Sequence, residues 1–260
     1  YAGIIYKKMW HKKLIIYCLD LWPESLVAGG VKRESFIYKL FHKISKHIYR
    51  SCDQILVTSR MFIDYISKEF DIAKDRLHYL PQYAEGLFDS VESKEKAKET
   101  IDFVFAGNIG EVQSVHTIIE AAEILKNETN LYFHIVGSGS EFETCKKLVE
   151  KKNLKNIILY GRKPVTDMPY YYAMADAMLI TLSADPILSL TLPGKVQSYM
   201  AAGKPIIGAI DGETSVIIHD AACGYVGKAE DAKQFSENIR KFVQLDKEER
   251  QQFGINGRVY

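Results

Sequence analysis

From residue 101 onward the sequence alternates short apolar runs with helical patterns, and this alternation restricts the possible folds more than any other feature. Each run has the length of a buried strand and is followed by apolar residues at helical spacing. The six predicted strands cover residues 101–106, 131–136, 157–160, 177–182, 205–209 and 225–226. Strands that alternate with helices favour parallel pairing with right-handed crossovers. We therefore predict an α/β fold with an open, doubly wound parallel sheet.

The first hundred residues show the same pattern with fewer elements. Apolar runs predict strands at 14–19, 55–58 and 77–80, and helices at 34–50 and 59–70. Residues 89–100 are highly charged and nearly free of large apolar side chains, so we expect a linker there. The predicted domains are residues 1–98, residues 99–243, and a final segment of residues 244–260.

Charge is unevenly distributed, although the whole chain carries a net charge of only +1. Residues 1–50 contain ten lysines and arginines against three acidic residues, so the rest of the chain is net negative. A basic segment favours an anionic partner, either a membrane or a nucleic acid. A nucleic-acid partner is disfavoured because no recognisable binding module accompanies the basic residues.

The predicted helix 34–50 carries both basic residues and an apolar stripe. The stripe consists of Phe36, Ile37, Leu40, Phe41, Ile44 and Ile48. A stripe of this size needs burial, so we expect it to face the domain core. The surrounding lysines and arginines would then contact anionic lipid from the periphery. The oligomeric state is left open by the sequence.

The four cysteines are far apart and form no C-x-x-C pair, which predicts free thiols in a reducing compartment. No signal peptide is recognisable. The chain opens on Tyr1 without an initiator methionine and ends in the middle of a pattern, so we expect a fragment of a longer protein.

Three glycine-rich turns follow predicted strands or precede predicted helices. They are Gly107–Gly110, Gly137–Gly139 and Pro193-Gly194-Lys195. Ligands of open α/β sheets bind outside the carboxyl ends of the strands, and glycine lets the backbone approach a phosphate closely. Lys195 opposes the helix macrodipole at its position, which favours a docked anion, although an exposed lysine without a ligand is equally compatible.

The common enzyme motifs are absent. Phe142 stands where the dinucleotide fingerprint needs its third glycine, and Gly203-Lys204 lacks the earlier glycine of a Walker A loop. No G-x-S-x-G elbow is present, and no histidine pair has the spacing of a zinc enzyme. The sequence thus supports neither a dehydrogenase, a P-loop NTPase, a triad hydrolase nor a metal site.

Several motifs, taken in order, resemble glycosyltransferase family 4. They are D-L-W-P-E-S-L at 20–26, L-P-Q-Y at 80–83, F-V-F-A-G-N-I-G at 103–110 with Gln113, I-V-G-S-G at 135–139, Y-G-R-K-P at 160–164, A-D-A at 175–177, and P-G-K at 193–195 with Y-M-A-A-G-K-P at 199–205. The resemblance spans about residues 14–258. Each motif is weak alone, but the ordered set is specific.

This resemblance implies two Rossmann-like domains in the GT-B arrangement, with an incomplete acceptor-side domain at 1–98 and a donor domain at 99–243. It also implies retaining transfer from a nucleoside-diphosphate sugar, UDP most readily, without a metal or other cofactor. The implied acceptor is a lipid-linked saccharide or an oligosaccharide. The implied role is the synthesis of a surface polysaccharide in the cytoplasm, including the inner face of the membrane.

The resemblance also assigns roles to individual residues. Arg162 and Lys195 would be the cations that stabilise the leaving diphosphate. The diphosphate would be approached by Gly107, Asn108, Ile109 and Gly110, with Gln113 behind them and Pro193 and Gly194 leading into the signature helix. The nucleobase and ribose would be held by Gly137, Ser138, Gly139, Gly161 and Lys163.

The chain departs from the family at two acidic positions. The two glutamates spaced E-x7-E correspond to Leu190 and Ser198, and Ser198 would bind the ribose hydroxyls only weakly. Asp185 is a possible replacement near the donor sugar, or simply a solvated carboxylate. Asp20 corresponds to the acidic end of the acceptor-domain strand, or is an ordinary turn residue. These departures leave two alternatives open: a nucleotide-sugar epimerase of the same fold, and a non-catalytic partner subunit.

Overall fold

The computed structural model describes residues 1–89, 91 and 99–260, and these residues form two compact units. Unit 1 comprises Tyr1–Gln82 and Pro186–Leu192, and unit 2 comprises Tyr83–Asp185 and Pro193–Tyr260. Most of the predicted linker lies outside the described residues. The units meet in sequence at residues 82 and 83, whereas the sequence predicted 98 and 99. Residues 83–89 group with unit 2 because Phe88 is buried there against Tyr172, with ring centroids 4.8 Å apart.

Unit 1 is built on a three-stranded parallel sheet in the order β1-β2-β3. Its elements are α1 (Ala2–Trp10), β1 (Ile15–Cys18), α2 (Glu24–Ala28), α3 (Phe36–Ser51), β2 (Gln54–Val57), α4 (Arg60–Phe70) and β3 (Leu77–Tyr79). The apolar face of α4 provides Phe62, Ile66 and Phe70 to the core, all with no exposed surface. The strands and helices predicted here are confirmed, and the helices α1 and α2 are additions that were not predicted.

Helix α3 has a different buried face from the predicted one. The buried residues are Tyr38, Ser45 and Tyr49, and the half-buried Ile48 packs beside them. The first four members of the predicted core stripe are exposed: Phe36 by 79%, Ile37 by 55%, Leu40 by 44% and Phe41 by 36%. The prediction of a buried stripe is therefore wrong for these four residues.

A buried carboxylate explains the orientation of α3. Glu24 is 1% exposed, and its carboxylate accepts hydrogen bonds from the hydroxyl of Tyr38 at 2.6 Å and from Arg33 at 2.7 Å. A buried charge needs such partners, so the helix turns Tyr38 inward. Tyr49 follows on the same face and packs against Phe70.

Unit 2 is a six-stranded parallel sheet in the order β6-β5-β4-β7-β8-β9, which confirms the predicted doubly wound sheet. Its strands are β4 (Ile101–Ala106), β5 (Leu131–Val136), β6 (Ile157–Gly161), β7 (Ala177–Thr181), β8 (Ile206–Ala209) and β9 (Gly224–Gly227). Its helices are α5 (Val115–Ile124), α6 (Phe142–Lys151), α7 (Met168–Met174), α8 (Lys195–Ala201), α9 (Glu213–Asp220), α10 (Ala232–Gln244) and α11 (Lys247–Val259).

The side chains of β4 alternate between the two faces of this sheet. Phe103 and Phe105 point into the main core, where α5 and α10 pack. The other face carries α7 and α8, which are joined by an edge contact between Tyr172 and Tyr199. The final segment forms α11 and packs closely on α8, because Gly254 lies against the backbone of Gly203.

No helix within the described residues combines the length and hydropathy needed to cross a membrane. The four cysteines are free, as predicted, and all four are buried.

Candidate functional site

The strand order of unit 2 reverses direction between β4 and β7. The chain builds outward from β4 to β6 on one side and from β7 to β9 on the other. In open α/β sheets the ligand binds at such a switch point, outside the carboxyl ends of the strands. The turn that begins at Gly107 follows β4 and therefore lies where a ligand is expected.

The structure brings two of the predicted glycine turns together with Gly161, the last residue of β6, at this edge. Backbone hydrogen bonds connect them, each 2.9 Å long: Gly107 N to Val136 O, Ile109 N to Ser138 O, and Gly137 N to Gly161 O. The turns at 107–110, 137–139 and 161 thus form one continuous backbone surface.

The glycines at 137 and 139 serve the packing of these turns. Gly137 has φ +148°, and a Cβ there would lie 1.8 Å from the carbonyl oxygen of Gly107. A Cβ on Gly139 would lie 2.3 Å from the carbonyl oxygen of Ile109. Neither position has room for a side chain. Close approach of a ligand was the predicted reason for these glycines, but packing of the neighbouring turn is already sufficient to require glycine at both positions.

Gln113 and Asn108 hold the first turn in shape. The side-chain oxygen of Gln113 accepts hydrogen bonds from the Gly110 amide at 3.1 Å and from the Asn108 side chain at 2.9 Å. Thr181, at the end of β7, donates to the Gln113 carbonyl at 2.6 Å. These neutral groups fix the turn at the switch point and add no charge to it.

Lys195 is the cation of this site. The Tyr199 hydroxyl donates a hydrogen bond to the Ala106 carbonyl at 3.1 Å and accepts one from the Ala106 amide at 3.2 Å. These two bonds fix α8 against the end of β4. One turn earlier on α8, the Lys195 ammonium lies 4.1 Å from the ring centroid of Phe105 and reaches the space in front of Gly107. A Cβ on Gly107 would come within 2.7 Å of it.

The Lys195 ammonium is buried and has no hydrogen-bond partner among the described residues. Burial lowers its pKa from 10.5 to about 8. A buried amine without a partner is costly, and an anion at the Gly107 turn would supply the missing hydrogen bonds and charge. Of the two interpretations of Lys195 left open by the sequence, the structure excludes the exposed lysine.

Ser198 lies one helical turn beyond Lys195 and is buried. Its hydroxyl donates to the carboxylate of Glu85 at 3.5 Å. Glu85 was not among the predicted site residues, because an acidic residue in an irregular segment after Pro81 has no local signal. Gly194 is exposed, and Pro193 accepts a hydrogen bond from the Val196 amide at 3.0 Å as the chain enters α8.

Other predicted residues are not gathered around Lys195. Arg162 and Lys163 are exposed at the end of β6, an edge strand two positions from β4, which places the strands roughly 10 Å apart. Asp185 is half-buried at the end of a unit 2 segment, and Asp20 is exposed after β1 in unit 1. Leu190 belongs to unit 1, where it packs against the core.

A cavity of about 290 Å³ lies next to Gly110. Its lining includes the carboxylates of Glu111, Glu141 and Glu230 and the ring of His116. Three carboxylates disfavour a diphosphate, so the lining of this cavity does not suit an anion. Within the described residues, no three His, Cys, Asp or Glu side chains are close enough to hold a metal ion.

Comparison with known proteins agrees with this geometry. WbjE of Pseudomonas aeruginosa, which bears the name "Probable glycosyltransferase", is 27% identical over 248 residues, covering 90% of this chain and 60% of WbjE. WcaI of Escherichia coli (strain K12), named for colanic acid biosynthesis, is 31% identical over 103 residues, covering 38% of this chain and 24% of WcaI. The matched regions thus cover less than two thirds of the length of either relative.

A solved structure shows the same fold. HepE of Anabaena, crystallised with UDP and glucose, superposes with a TM-score of 0.76 at 12% identity over 99% of this chain and 68% of HepE. The family model described as "Glycosyl transferases group 1" matches residues 88–260, which include every residue of the Gly107 turn and Lys195. The chain therefore belongs to the group 1 glycosyl transferases.

Proposed function

We propose that the protein is a retaining glycosyltransferase of family 4 that takes a sugar from a nucleoside-diphosphate sugar, UDP being the expected nucleotide. One observation carries this proposal. Among the residues that the structure describes, the buried Lys195 ammonium has no hydrogen-bond partner, and it lies in front of Gly107 at the switch point of a doubly wound sheet. A nucleoside diphosphate is the kind of anion that suits this position. HepE, which has the same fold, was crystallised with UDP.

The chemistry follows from the charge that develops as the sugar departs. Breaking the bond between the sugar and the diphosphate leaves negative charge on the leaving oxygen. A preorganised cation stabilises that charge most where water is excluded, and the enclosed Lys195 ammonium meets this condition. Arg162, which is exposed at the end of β6, is a second candidate cation for the bound donor. We propose no metal in this step.

The acceptor and its location are part of the same proposal. WcaI is named for the biosynthesis of colanic acid, a polysaccharide, and we infer a saccharide acceptor, lipid-linked or oligomeric. In unit 1, the exposed apolar residues of α3 stand beside Lys39 and Lys43, which are also exposed. Exposed aromatic and aliphatic side chains next to lysines favour contact with an anionic lipid surface. We therefore place the enzyme in the cytoplasm, at the inner face of the membrane.

Nucleotide binding tests the donor site directly. Calorimetric titration with UDP, GDP and ADP should give binding by at least one nucleotide, and Lys195→Met should weaken it by tenfold or more, since a charged hydrogen bond is worth about 1.5–3 kcal/mol. Lys155→Met, at an exposed lysine of the same unit, is the matched control. No binding by any nucleotide would contradict the proposal.

Turnover then separates the proposed enzyme from its alternatives. The full-length protein should transfer a labelled sugar to a saccharide acceptor with retained anomeric configuration, read by NMR of the product. Interconversion of the free nucleotide sugar would instead indicate an epimerase. Binding without turnover would indicate a non-catalytic subunit, the alternative suggested by Leu190 and Ser198.

A further inference from the structure

Helix α8 contains no acidic residue, and the carboxylate of Glu85 lies beside it. The segment that bears Glu85 is fixed on unit 2, because Phe88 is buried against Tyr172 and the carbonyl of Asp89 accepts a hydrogen bond from Arg258 at 2.7 Å. Glu85 precedes these two anchored residues in the sequence, and its side chain is exposed. Its carboxylate accepts the hydroxyl of Ser198 on α8.

The position of this carboxylate relative to Lys195 is set by α8. Lys195 and Ser198 are three residues apart, so their side chains emerge on the same face with Cβ atoms about 5–6 Å apart. The ammonium faces the turn after β4, and the carboxylate lies one helical turn further along. The Lys195 ammonium and the Glu85 carboxylate thus lie one after the other along α8 at the switch point.

A nucleoside diphosphate has matching groups in the same order. Its diphosphate is linked through the 5′ oxygen to a ribose, which presents two neighbouring hydroxyl groups. A carboxylate accepts hydrogen bonds from both hydroxyls of such a diol, whereas a serine hydroxyl offers a single short side chain. With the diphosphate at Lys195, the ribose is the next group along the ligand and comes within reach of Glu85.

We propose that Glu85, oriented by the hydroxyl of Ser198, accepts the ribose hydroxyls of the donor nucleotide. The ribose recognition that Ser198 could provide only weakly is then carried by a side chain from a distant part of the sequence. This inference rests on the proposed function, since it assumes a nucleoside diphosphate at Lys195.

The experiment compares ribose and deoxyribose ligands by calorimetric titration of the chain. The unmodified protein should bind UDP at least about tenfold more tightly than 2′-deoxy-UDP, because the carboxylate loses a charge-assisted hydrogen bond with the deoxy ligand. In Glu85→Gln this ratio should fall to about threefold or less, through weaker binding of UDP. Ser198→Ala should lower the ratio to an intermediate value. Glu143→Gln, at an exposed glutamate of α6, is the control and should keep the full ratio.

Inorganic pyrophosphate separates this inference from the function on which it rests. Pyrophosphate has no ribose, so Glu85→Gln should bind it as tightly as the unmodified protein does, while Lys195→Met should not. A ribose-to-deoxyribose ratio that is unchanged in Glu85→Gln would overturn the role of Glu85 and leave the donor site intact. Absence of binding by UDP and by the GDP and ADP controls would overturn both proposals.

Discussion

Replacing Lys195 by methionine should stabilise unit 2 when no anion is bound. Burial lowers the pKa of the ammonium from 10.5 to about 8, and this difference at about 1.4 kcal/mol per pH unit corresponds to about 3 kcal/mol. The unfolded chain keeps its proton up to pH 10.5, whereas the folded chain releases it near pH 8. The cost is therefore fully present below pH 8 and disappears as the pH rises toward 10.5.

The expected result is a free energy of unfolding that is higher by up to about 3 kcal/mol in Lys195→Met at pH 7. The advantage should fall to less than half of that by pH 9.5. Adding UDP should narrow the difference, because the unmodified protein gains about 2.7 kcal/mol at a hundredfold excess over its dissociation constant, whereas a variant that binds tenfold more weakly gains about 1.4 kcal/mol. A stabilised apo-protein that binds its ligand less well is the signature of a charge kept for an anion.

Urea unfolding with two probes measures this effect and contains its own control. Both tryptophans, Trp10 and Trp22, belong to unit 1, so their fluorescence should report the same midpoint in both proteins. Far-UV circular dichroism also follows unit 2 and should show the shift. Lys155→Met should leave both midpoints unchanged. A less stable Lys195→Met at pH 7, or a difference independent of pH, would refute the reasoning that the ammonium is buried without a partner.

Three further results are expected. Gly137→Ala should cost unit 2 at least about 2 kcal/mol in urea unfolding, because its Cβ would meet a carbonyl oxygen, whereas Gly161→Ala, with φ +69° and open space, should cost about 1 kcal/mol. Burial of Glu24 favours its protonated form, but hydrogen bonds outweigh this effect and lower the pKa of the carboxyl below 4.5. Unit 1 should therefore lose stability as the pH falls below 4.5, which tryptophan fluorescence would measure. The variant Glu24→Gln should not show this pH dependence. The double substitution Phe36→Ser with Leu40→Ser should change the free energy of unfolding by at most about 0.5 kcal/mol. It should also reduce binding of the protein to anionic vesicles. Unchanged vesicle binding would contradict the proposed membrane contact.

The strands and most helices were predictable because their signals are local. Apolar runs and helical spacing repeat within windows of a few residues, and the crossover rules then order the sheet of unit 2. The position of Lys195 was predictable for the same reason, since it opens a helix after a glycine turn. Its burial was not, because that depends on Tyr199 fixing α8 against the end of β4.

The missed features depend on pairs that are distant in sequence. The face of α3 was decided by Glu24, and the carboxylate beside Ser198 comes from Glu85. A series of side-chain hydrogen bonds on the sheet of unit 2 is another case. The ring of His134 on β5 forms hydrogen bonds with Asp102 on β4 at 2.8 Å and with Tyr160 on β6 at 2.9 Å. Periodicity shows which residues share a face of an element, but not which polar side chain on another element makes that face the buried one.

The glycine turns show that one residue pattern can have two physical causes. Gly137 and Gly139 were predicted from ligand approach, yet the backbone of the neighbouring turn already excludes a side chain at both positions. Loss of activity in Gly137→Ala would therefore follow from displacement of the turns and would not show that the glycine touches a nucleotide. Lys195 and Glu85 are different, because the ammonium has no hydrogen-bond partner in the described part of the chain and the carboxylate is exposed. Substitutions at these two side chains, and not at the glycines, decide whether the edge of this sheet binds a nucleoside diphosphate.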